Sequence, residues 1–252
     1  MIRFLKTLVG AYAMAMFVIV VLGVFCPLLI VAPSLPLRRG IGRFGVKVWL
    51  ALSFMPLRVR GLENLPPAPC IAVCNHASYL DGVIVTAALP SRFTFLVQHG
   101  AAGWPYVGTI IKRMAVTFVN RGSVRAAAQA TLELINRIRN GESFTIFPEG
   151  TFRAPPMLLA FQSGAFMVAA RANTPVVPVV VKGTRSIYGD GARVFRWHPV
   201  SVEVFPPVLP QGEDRVAVQN LRDAARAVVL QHCGEGDGLN EPPPPKAGGY
   251  RS

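Results

Sequence analysis

From about residue 58 onward, short apolar runs alternate with helix-like stretches along this chain, and this alternation limits the folds open to it. Strands are predicted for the apolar runs at residues 70–75, 93–98, 116–119, 144–147, 176–181 and 201–205. Helices are predicted at residues 82–88, 124–139, 165–172 and 214–231. The second helix has Ser123 as its N-cap and Gly141 as its stop signal. Strands alternating with helices indicate an α/β layered domain with a largely parallel, mixed sheet flanked by helices.

The N-terminus carries a stretch of twenty residues without a charge, from Thr7 to Cys26. As a helix it would be ~30 Å long, which is the thickness of a bilayer core. A second, amphipathic stretch follows at residues 41–55, with cationic residues among apolar ones. Either the first stretch spans the bilayer and the second lies in its interface, or both form a helical hairpin that enters one leaflet. Residues 1–57 are therefore predicted to be an N-terminal membrane-associated helical segment.

The composition indicates a soluble-type domain attached to a membrane. The chain is 52% hydrophobic and 15% charged, and its mean hydropathy is +0.41. Its 26 Lys and Arg against 13 Asp and Glu give a net charge of +13, which suits an anionic membrane surface as a partner. Nucleic acid is not expected as a partner, because the sequence has no RNA-binding aromatic motif and no zinc-finger spacing. We expect a cell-membrane protein whose main domain lies on the cytoplasmic side.

Three regions follow from these patterns. The membrane segment at residues 1–57 precedes the α/β domain at residues 58–233, and a Pro/Gly-rich tail at residues 234–252 is predicted to be disordered. The four cysteines form no CxxC pair, so we expect them to pack in the core as free thiols. We also expect the domain to lie in a reducing compartment.

His76 and Asp81 are the strongest candidates for catalysis, because they directly follow the first predicted strand of the domain. On one continuous helix their side chains would lie about 140° apart, since each residue advances a helix by about 100°. We therefore place His76 on a strand-to-helix turn, Ser78 at the N-cap and Asp81 in the first helical turn. From there the carboxylate can accept from Nδ1–H and leave Nε2 free as a general base. The alternative is that the two residues only cap a turn and a helix.

Three later segments carry further candidates, and two of them, the turn at residues 147–153 and the segment with Arg121, are expected at the same edge of the sheet. The acidic, Gly-containing turn after the fourth predicted strand offers Thr151 and Arg153 as donors to an anion. Arg121 follows the third predicted strand, and a guanidinium binds phosphate bidentately. Val177 and Pro178 lie in an apolar strand, where they either pack in the core or line a groove for an acyl chain. No third ligand with metal-binding spacing lies near His76, so no metal is expected.

Four motifs, in this order and spacing, resemble the glycerolipid acyltransferase family, typified by 1-acyl-glycerol-3-phosphate acyltransferases. The matching blocks are residues 75–81 (NHxxxxD), 118–121, 147–151 (FPEGT) and 177–178. The resemblance covers roughly residues 58 to 207 and implies an α/β domain preceded by a helical membrane motif.

The resemblance also implies a role for each block. His76 would deprotonate an acceptor hydroxyl, which attacks an acyl thioester on coenzyme A or acyl carrier protein, while Asp81 orients the histidine. The acceptor-binding residues that it implies are Arg121, Glu149, Gly150 and Thr151, and the acyl-chain residues are Val177 and Pro178. Arg153 is added to the acceptor-binding residues as a cation that substitutes for one the family pattern has directly after the FPEGT block. It implies no metal, no cofactor and no covalent enzyme intermediate.

The chain departs from the family pattern at three places where a cation is common. Phe152 intervenes before Arg153, Gln162 stands where a lysine is frequent, and residues 98–101 lack a basic KxEL-like stretch. We expect a membrane-bound O-acyltransferase whose lysolipid acceptor is 1-acyl-glycerol-3-phosphate, with another lysophospholipid or a lyso-aminolipid as the alternative. A lipid hydrolase remains open, although the only nearby serine is Ser78 and no G-x-S-x-G elbow exists. A non-catalytic lipid-binding protein is the other alternative.

Overall fold

The computed structural model of the chain describes residues 2–98, 103, 106–119 and 124–239. Within these ranges the strands are β1 (Leu57–Arg60), β2 (Ile71–Cys74), β3 (Phe93–Gln98), β4 (Thr117–Val119), β5 (Ser143–Ile146), β6 (Met157–Leu158), β7 (Val176–Lys182), β8 (Val200–Val204) and β9 (Gly236–Asp237). Seven of them form one sheet in the order β1-β8-β7-β2-β5-β3-β4, and β6 pairs with β9 separately. Every neighbouring pair in the large sheet is parallel except β7 with β8. The predicted α/β class with a largely parallel mixed sheet is confirmed.

Helices cover both faces of this sheet. The α-helices within the described ranges are α1 (Ile2–Met16), α2 (Cys26–Val31), α3 (Leu35–Leu52), α4 (Asp81–Ala88), α5 (Val107–Arg113), α6 (Val124–Arg139), α7 (Gly164–Arg171), α8 (Thr184–Tyr188) and α9 (Arg215–Cys233). A π-helical stretch, Phe17–Phe25, joins α1 to α2, and Leu62–Asn64 form a 3₁₀ turn.

The alternation of side chains along β2 divides the core into two layers. Ile71 and Val73 pack with residues of α6, α7 and α9, whereas Ala72 and Cys74 pack with residues of α3 and α4. Successive side chains of a strand point to opposite faces, so a strand covered on both faces reads as one continuous apolar run. For this reason the central strands could be predicted from the sequence.

The N-terminal helices are docked on the domain by α3. Trp49 is fully buried, and its indole N–H donates to the Ala13 carbonyl of α1 at 2.8 Å. The Phe17 ring packs edge-on against it, with the ring centroids 5.0 Å apart. The stretch Leu5–Val31 is long and apolar enough to cross a membrane, and only 11% of its most apolar window is buried. The predicted apolar N-terminal helix is confirmed.

The structure differs from the predicted elements mainly where elements are short. β1, α5 and α8 were not predicted, because strands and helices this short carry little periodicity. The amphipathic helix begins at Leu35 rather than at residue 41, with a proline in its first turn where the missing N–H costs nothing. Gly141 ends α6 with φ of 95°, as expected, whereas Ser123 lies outside the described residues.

The tail predicted to be disordered is ordered at its start. Gly236 and Asp237 form β9 and pair with β6, so the prediction is wrong for this part of residues 234–252. The Pro/Gly-rich composition gives no sign of this pairing, because the partner strand β6 is far away in the sequence. Residues 240–252 lie outside the described residues.

Candidate active site

The carboxyl ends of three neighbouring strands form the site. β2 lies between β5 and β7, and all three run parallel. His76 follows β2 by two residues, and the turn containing Glu149 follows β5. Asn75 joins the ends of β2 and β7, because its amide accepts from the Val181 N–H at 2.8 Å and donates to the Val181 carbonyl at 3.0 Å. This pair of bonds sets the direction in which the chain leaves β2 and presents His76.

His76 and Asp81 are in direct contact. Nδ1 of the imidazole lies 2.8 Å from Oδ2 of the fully buried carboxylate. The same oxygen accepts the backbone N–H groups of Ala77 at 2.6 Å and Ser78 at 2.8 Å. An ionised carboxylate can only accept, so Nδ1 is assigned as the donor and Nε2 carries the free lone pair. The contact expected from the sequence is present because the chain turns between β2 and α4.

Two phenylalanines fix the plane of the imidazole. The Phe147 ring stacks on it with the centroids 4.6 Å apart, and the Phe152 ring meets it edge-on at 4.8 Å. The side chain of His76 is 21% exposed, and no residue in the described part of the chain forms a hydrogen bond with Nε2. An imidazole held in one plane with one accessible nitrogen is suited to general-base catalysis.

Glu149 lies beneath the site rather than at its surface. Its carboxyl is buried, with Oε1 accepting the His76 backbone N–H at 2.6 Å and Oε2 accepting the Leu159 N–H at 2.7 Å. Burial raises the pKa of Glu149 to about 8, although the two N–H donors act in the opposite direction. Both oxygens are engaged with the backbone, so the predicted contact of Glu149 with an acceptor stays a prediction.

The rest of the FPEGT turn is compact. Gly150 adopts φ of 71°, and its N–H closes the turn onto the Phe147 carbonyl at 3.0 Å. A positive φ of this size favours glycine, which explains the residue type there. Thr151 and Arg153 follow, both half-buried, and the Arg153 carbonyl accepts from the Arg185 guanidinium. Their roles toward an acceptor stay predictions.

The remaining predicted site residues divide into two groups. Arg121 lies outside the described residues. Val177 and Pro178 are buried near the start of β7, where they pair with Ala72 and Val73 of β2. Position 178 tolerates a proline because the regular pairing of β7 with β8 covers only Val179 to Lys182 and does not include it. Their predicted role toward an acyl chain stays a prediction.

No group of three or more His, Cys, Asp or Glu side chains that could hold a metal ion exists among the described residues. The expectation that the chemistry needs no metal or cofactor stays a prediction, because it rests on the resemblance.

Sequence reasoning missed several residues that build the site. Asn75 was noted only as part of a motif, although its amide ties two strands together. Ser78 was predicted as the helix N-cap, which is wrong: α4 begins at Asp81 and Leu80 is its N-cap. Instead Ser78 is fully buried, and its hydroxyl donates to the Tyr188 carbonyl at 2.6 Å and accepts the Leu80 N–H at 3.1 Å. The position of Phe152 against the histidine was not predicted either. A polar residue at the end of a buried strand is the one sequence signal that points to Asn75.

Comparisons with known proteins agree on one family. A family model described as acyltransferase matches residues 56–182. A chloroplastic 1-acyl-sn-glycerol-3-phosphate acyltransferase of Arabidopsis thaliana is 32% identical over 205 residues, covering 79% of this chain and 53% of that protein. The human 1-acyl-sn-glycerol-3-phosphate acyltransferase beta is 30% identical over 198 residues, covering 76% of this chain and 71% of that protein.

A solved structure is also similar. The crystal structure of the 1-acyl-sn-glycerophosphate acyltransferase PlsC from Thermotoga maritima matches with a TM-score of 0.69 and 27% identity, covering 91% of this chain and 93% of that one. By contrast, the chain spans 53–58% of the length of the plant and Borreliella burgdorferi relatives that it matches.

Proposed function

This chain belongs to the acyltransferase family, and from that premise we propose that it transfers a fatty acyl group from a thioester to the hydroxyl of 1-acyl-sn-glycerol-3-phosphate, a step of phospholipid biosynthesis. The observation that carries the proposal is the 2.8 Å contact between His76 and Asp81 at the carboxyl edge of the sheet. The relatives named as 1-acyl-sn-glycerol-3-phosphate acyltransferases support the choice of acceptor.

The geometry supports a general-base mechanism. Nε2 of His76 removes the proton of the acceptor hydroxyl as its oxygen attacks the thioester carbonyl carbon. Asp81 stabilises the imidazolium that forms and keeps the ring in one tautomer. When the tetrahedral intermediate collapses, the C–S bond breaks and the thiolate takes the proton from Nε2. The ester and the free thiol leave, and the histidine is neutral again.

The partners follow from this chemistry. The acyl donor is acyl-CoA or acyl carrier protein, and both are co-substrates rather than cofactors. The acceptor reaches the site from the membrane, to which the apolar stretch Leu5–Val31 attaches the chain. We place the protein at the cell membrane with its catalytic domain on the cytoplasmic side, and the charge of +13 favours anionic lipid.

A serine hydrolase is less well supported than a transferase. Ser78 is the serine nearest to the histidine in sequence, but its hydroxyl is buried and donates to the Tyr188 carbonyl. A hydroxyl held in this way does not present a nucleophile to a substrate.

The test is a panel of lysolipids offered to the detergent-purified protein with one acyl-CoA and one acyl carrier protein donor, with products resolved by mass. We expect acylation of 1-acyl-sn-glycerol-3-phosphate, and we expect His76→Ala to lower the rate by about 10²–10⁴-fold. His198→Ala is the matched control, because His198 is a histidine whose Nδ1 makes a solvent-exposed hydrogen bond to the carbonyl of the neighbouring Pro199 at 2.8 Å.

Each other outcome identifies a different function. Acylation of only another lysophospholipid or a lyso-aminolipid would refute the acceptor and keep the chemistry. Release of free fatty acid without an acceptor would indicate a hydrolase. Lysolipid binding with no turnover of either thioester would indicate a non-catalytic lipid-binding protein.

A further inference from the structure

After helix α9 the chain returns to the loop that follows the FPEGT turn. Residues 235–238, named here the C-terminal strap, lie beyond residues 56–182 that match the family model. They run alongside residues 156–158, which belong to the loop after the FPEGT turn. The Gly236 N–H donates to the Pro156 carbonyl at 2.9 Å, and the Gly238 N–H donates to the Leu158 carbonyl at 3.0 Å. The strap therefore adds a strand to the loop that follows the turn.

An ion pair fastens each end of the strap. Arg185 binds Glu235 through two hydrogen bonds, at 2.8 and 3.0 Å, and also donates to the Arg153 carbonyl of the same loop. Arg226 donates to Asp237 at 2.7 Å. Each guanidinium thus bridges a strap carboxylate and the loop, which is the geometry that makes arginine a specific clamp.

Arg226 reaches the part of the loop nearest to the site. It is only 6% exposed, and it donates to the Leu158 carbonyl at 2.8 Å and to the Leu159 carbonyl at 3.2 Å. A pairing of two residues is marginal by itself, so the fastening depends on the ion pairs. Without Asp237 the buried guanidinium would keep two carbonyls but lose its counter-charge, which is costly.

The loop leads directly to the catalytic histidine. The Leu159 N–H donates to Oε2 of Glu149 at 2.7 Å, and Oε1 of the same carboxyl accepts the His76 N–H at 2.6 Å. Phe152, earlier in the loop, contacts the imidazole ring. Hydrogen bonds and one ring contact therefore connect the strap with both the backbone and the ring of His76.

We propose that the C-terminal strap is a positioning element of the active site, holding the loop so that Glu149 and Phe152 keep His76 in its reactive place. The inference rests on the proposed function, in which His76 is the base. The strap does not contact substrate. It acts through the loop, and its loss should impair the chemical step more than substrate binding.

The test compares Asp237→Ala with Asp237→Asn and a matched control. Asp223→Ala is the control, because Asp223 pairs with Arg222 at 2.8 Å on α9 and is exposed. We expect Asp237→Ala to lower kcat by about tenfold or more, since small displacements of a reactive group can cost about 100-fold. The KM values for thioester and lysolipid should change little. Asp237→Asn keeps an acceptor oxygen for Arg226 and should recover part of kcat, and the control should match the unaltered protein.

A second measurement separates failure of this inference from failure of the proposed function. Hydrogen exchange of the peptides containing the His76 and Leu159 amides should become faster in Asp237→Ala, with α6 unchanged, whatever reaction the protein catalyses. The inference is overturned if exchange at both amides is unaltered. It is also overturned if kcat falls only in proportion to the folded fraction, or if KM rises while kcat is retained.

Discussion

Glu149 is a buried carboxyl that joins two segments far apart in the chain. One oxygen accepts the His76 N–H and the other the Leu159 N–H, which are 73 and 10 residues away in sequence. Its pKa is raised to about 8, chiefly because burial disfavours the charged form. The residue therefore couples the protonation state of the protein to the stability of the site.

The sign of this coupling predicts how stability depends on pH. A carboxyl whose pKa is higher in the folded than in the unfolded chain contributes its full stabilisation of the fold at pH values below its ordinary pKa of 4.5. Its contribution is lost as the pH rises through about 8. We expect the midpoint of thermal unfolding to fall over this window, and Glu149→Gln to remove that part of the dependence.

The glutamine variant should be the less stable protein at low pH. Its amide can accept only one of the two N–H groups, and leaving one buried donor unpaired costs about 1–3 kcal/mol. The gap in the midpoint of thermal unfolding between the variant and the unaltered protein should narrow as the pH rises. Unfolding of both proteins in detergent from pH 5 to 8 measures it, and a gap that widens with pH would contradict the assignment.

At the scale of elements, the contact between α3 and the apolar N-terminal helix is close. A Cβ built on Gly45 would lie 2.5 Å from the ring of Phe25, whereas a Cβ on Gly40 of the same helix would meet nothing within 4 Å. The two glycines thus face different surroundings on one helix. They form a matched pair for testing how the helices dock.

Gly45→Ala and Gly40→Ala should shift stability in opposite directions. Overpacking at Gly45 is expected to cost about 1–3 kcal/mol, because Phe25 or the helix must move. Gly40→Ala should gain about 0.5–1 kcal/mol, since alanine loses less backbone entropy in a helix. Thermal unfolding in detergent measures both, and a shift of the same sign in both variants would show that the helices do not dock as described.

At the scale of the whole molecule, apolar side chains form an exposed surface whose contact with water is unfavourable. Exposed residues on the N-terminal helices and the turn after α3 include Leu8, Ile19, Leu28, Val31 and Phe54, with Val31 and Phe54 each 74% exposed. Soluble monomers rarely expose apolar patches of more than a few hundred Å². The same helices also bury Trp49 against the domain, so one segment both contributes to the core and exposes apolar side chains.

This surface predicts how the protein leaves a membrane. The chain should stay in the membrane fraction after washing with high salt and with alkaline carbonate, and should be released by detergent. Burial of apolar side chains in lipid is insensitive to salt, whereas attraction of a basic protein to anionic lipid is screened by it. Immunoblotting of the fractions measures the distribution. Release of the protein by salt alone would show that only charge holds it at the membrane.

Much of this molecule could be predicted from local patterns. The central strands read as apolar runs because both sheet faces are covered, and α6 was predicted at Val124–Arg139, its residues in the structure. The contact between His76 and Asp81 was predicted because it spans only five residues. The division into regions at residues 57 and 233 stays a prediction.

The sequence by itself determined the α/β class, the apolar N-terminus and the paired histidine and carboxylate, because each depends on neighbours within a few residues. Only the tertiary structure decided that Asn75 binds Val181 across 106 residues, that Glu149 holds the backbone of His76, and that the C-terminal strap reaches the loop behind them. These contacts depend on which strands become neighbours in the sheet. Strand order is set by the packing of the whole chain, so no local pattern records it.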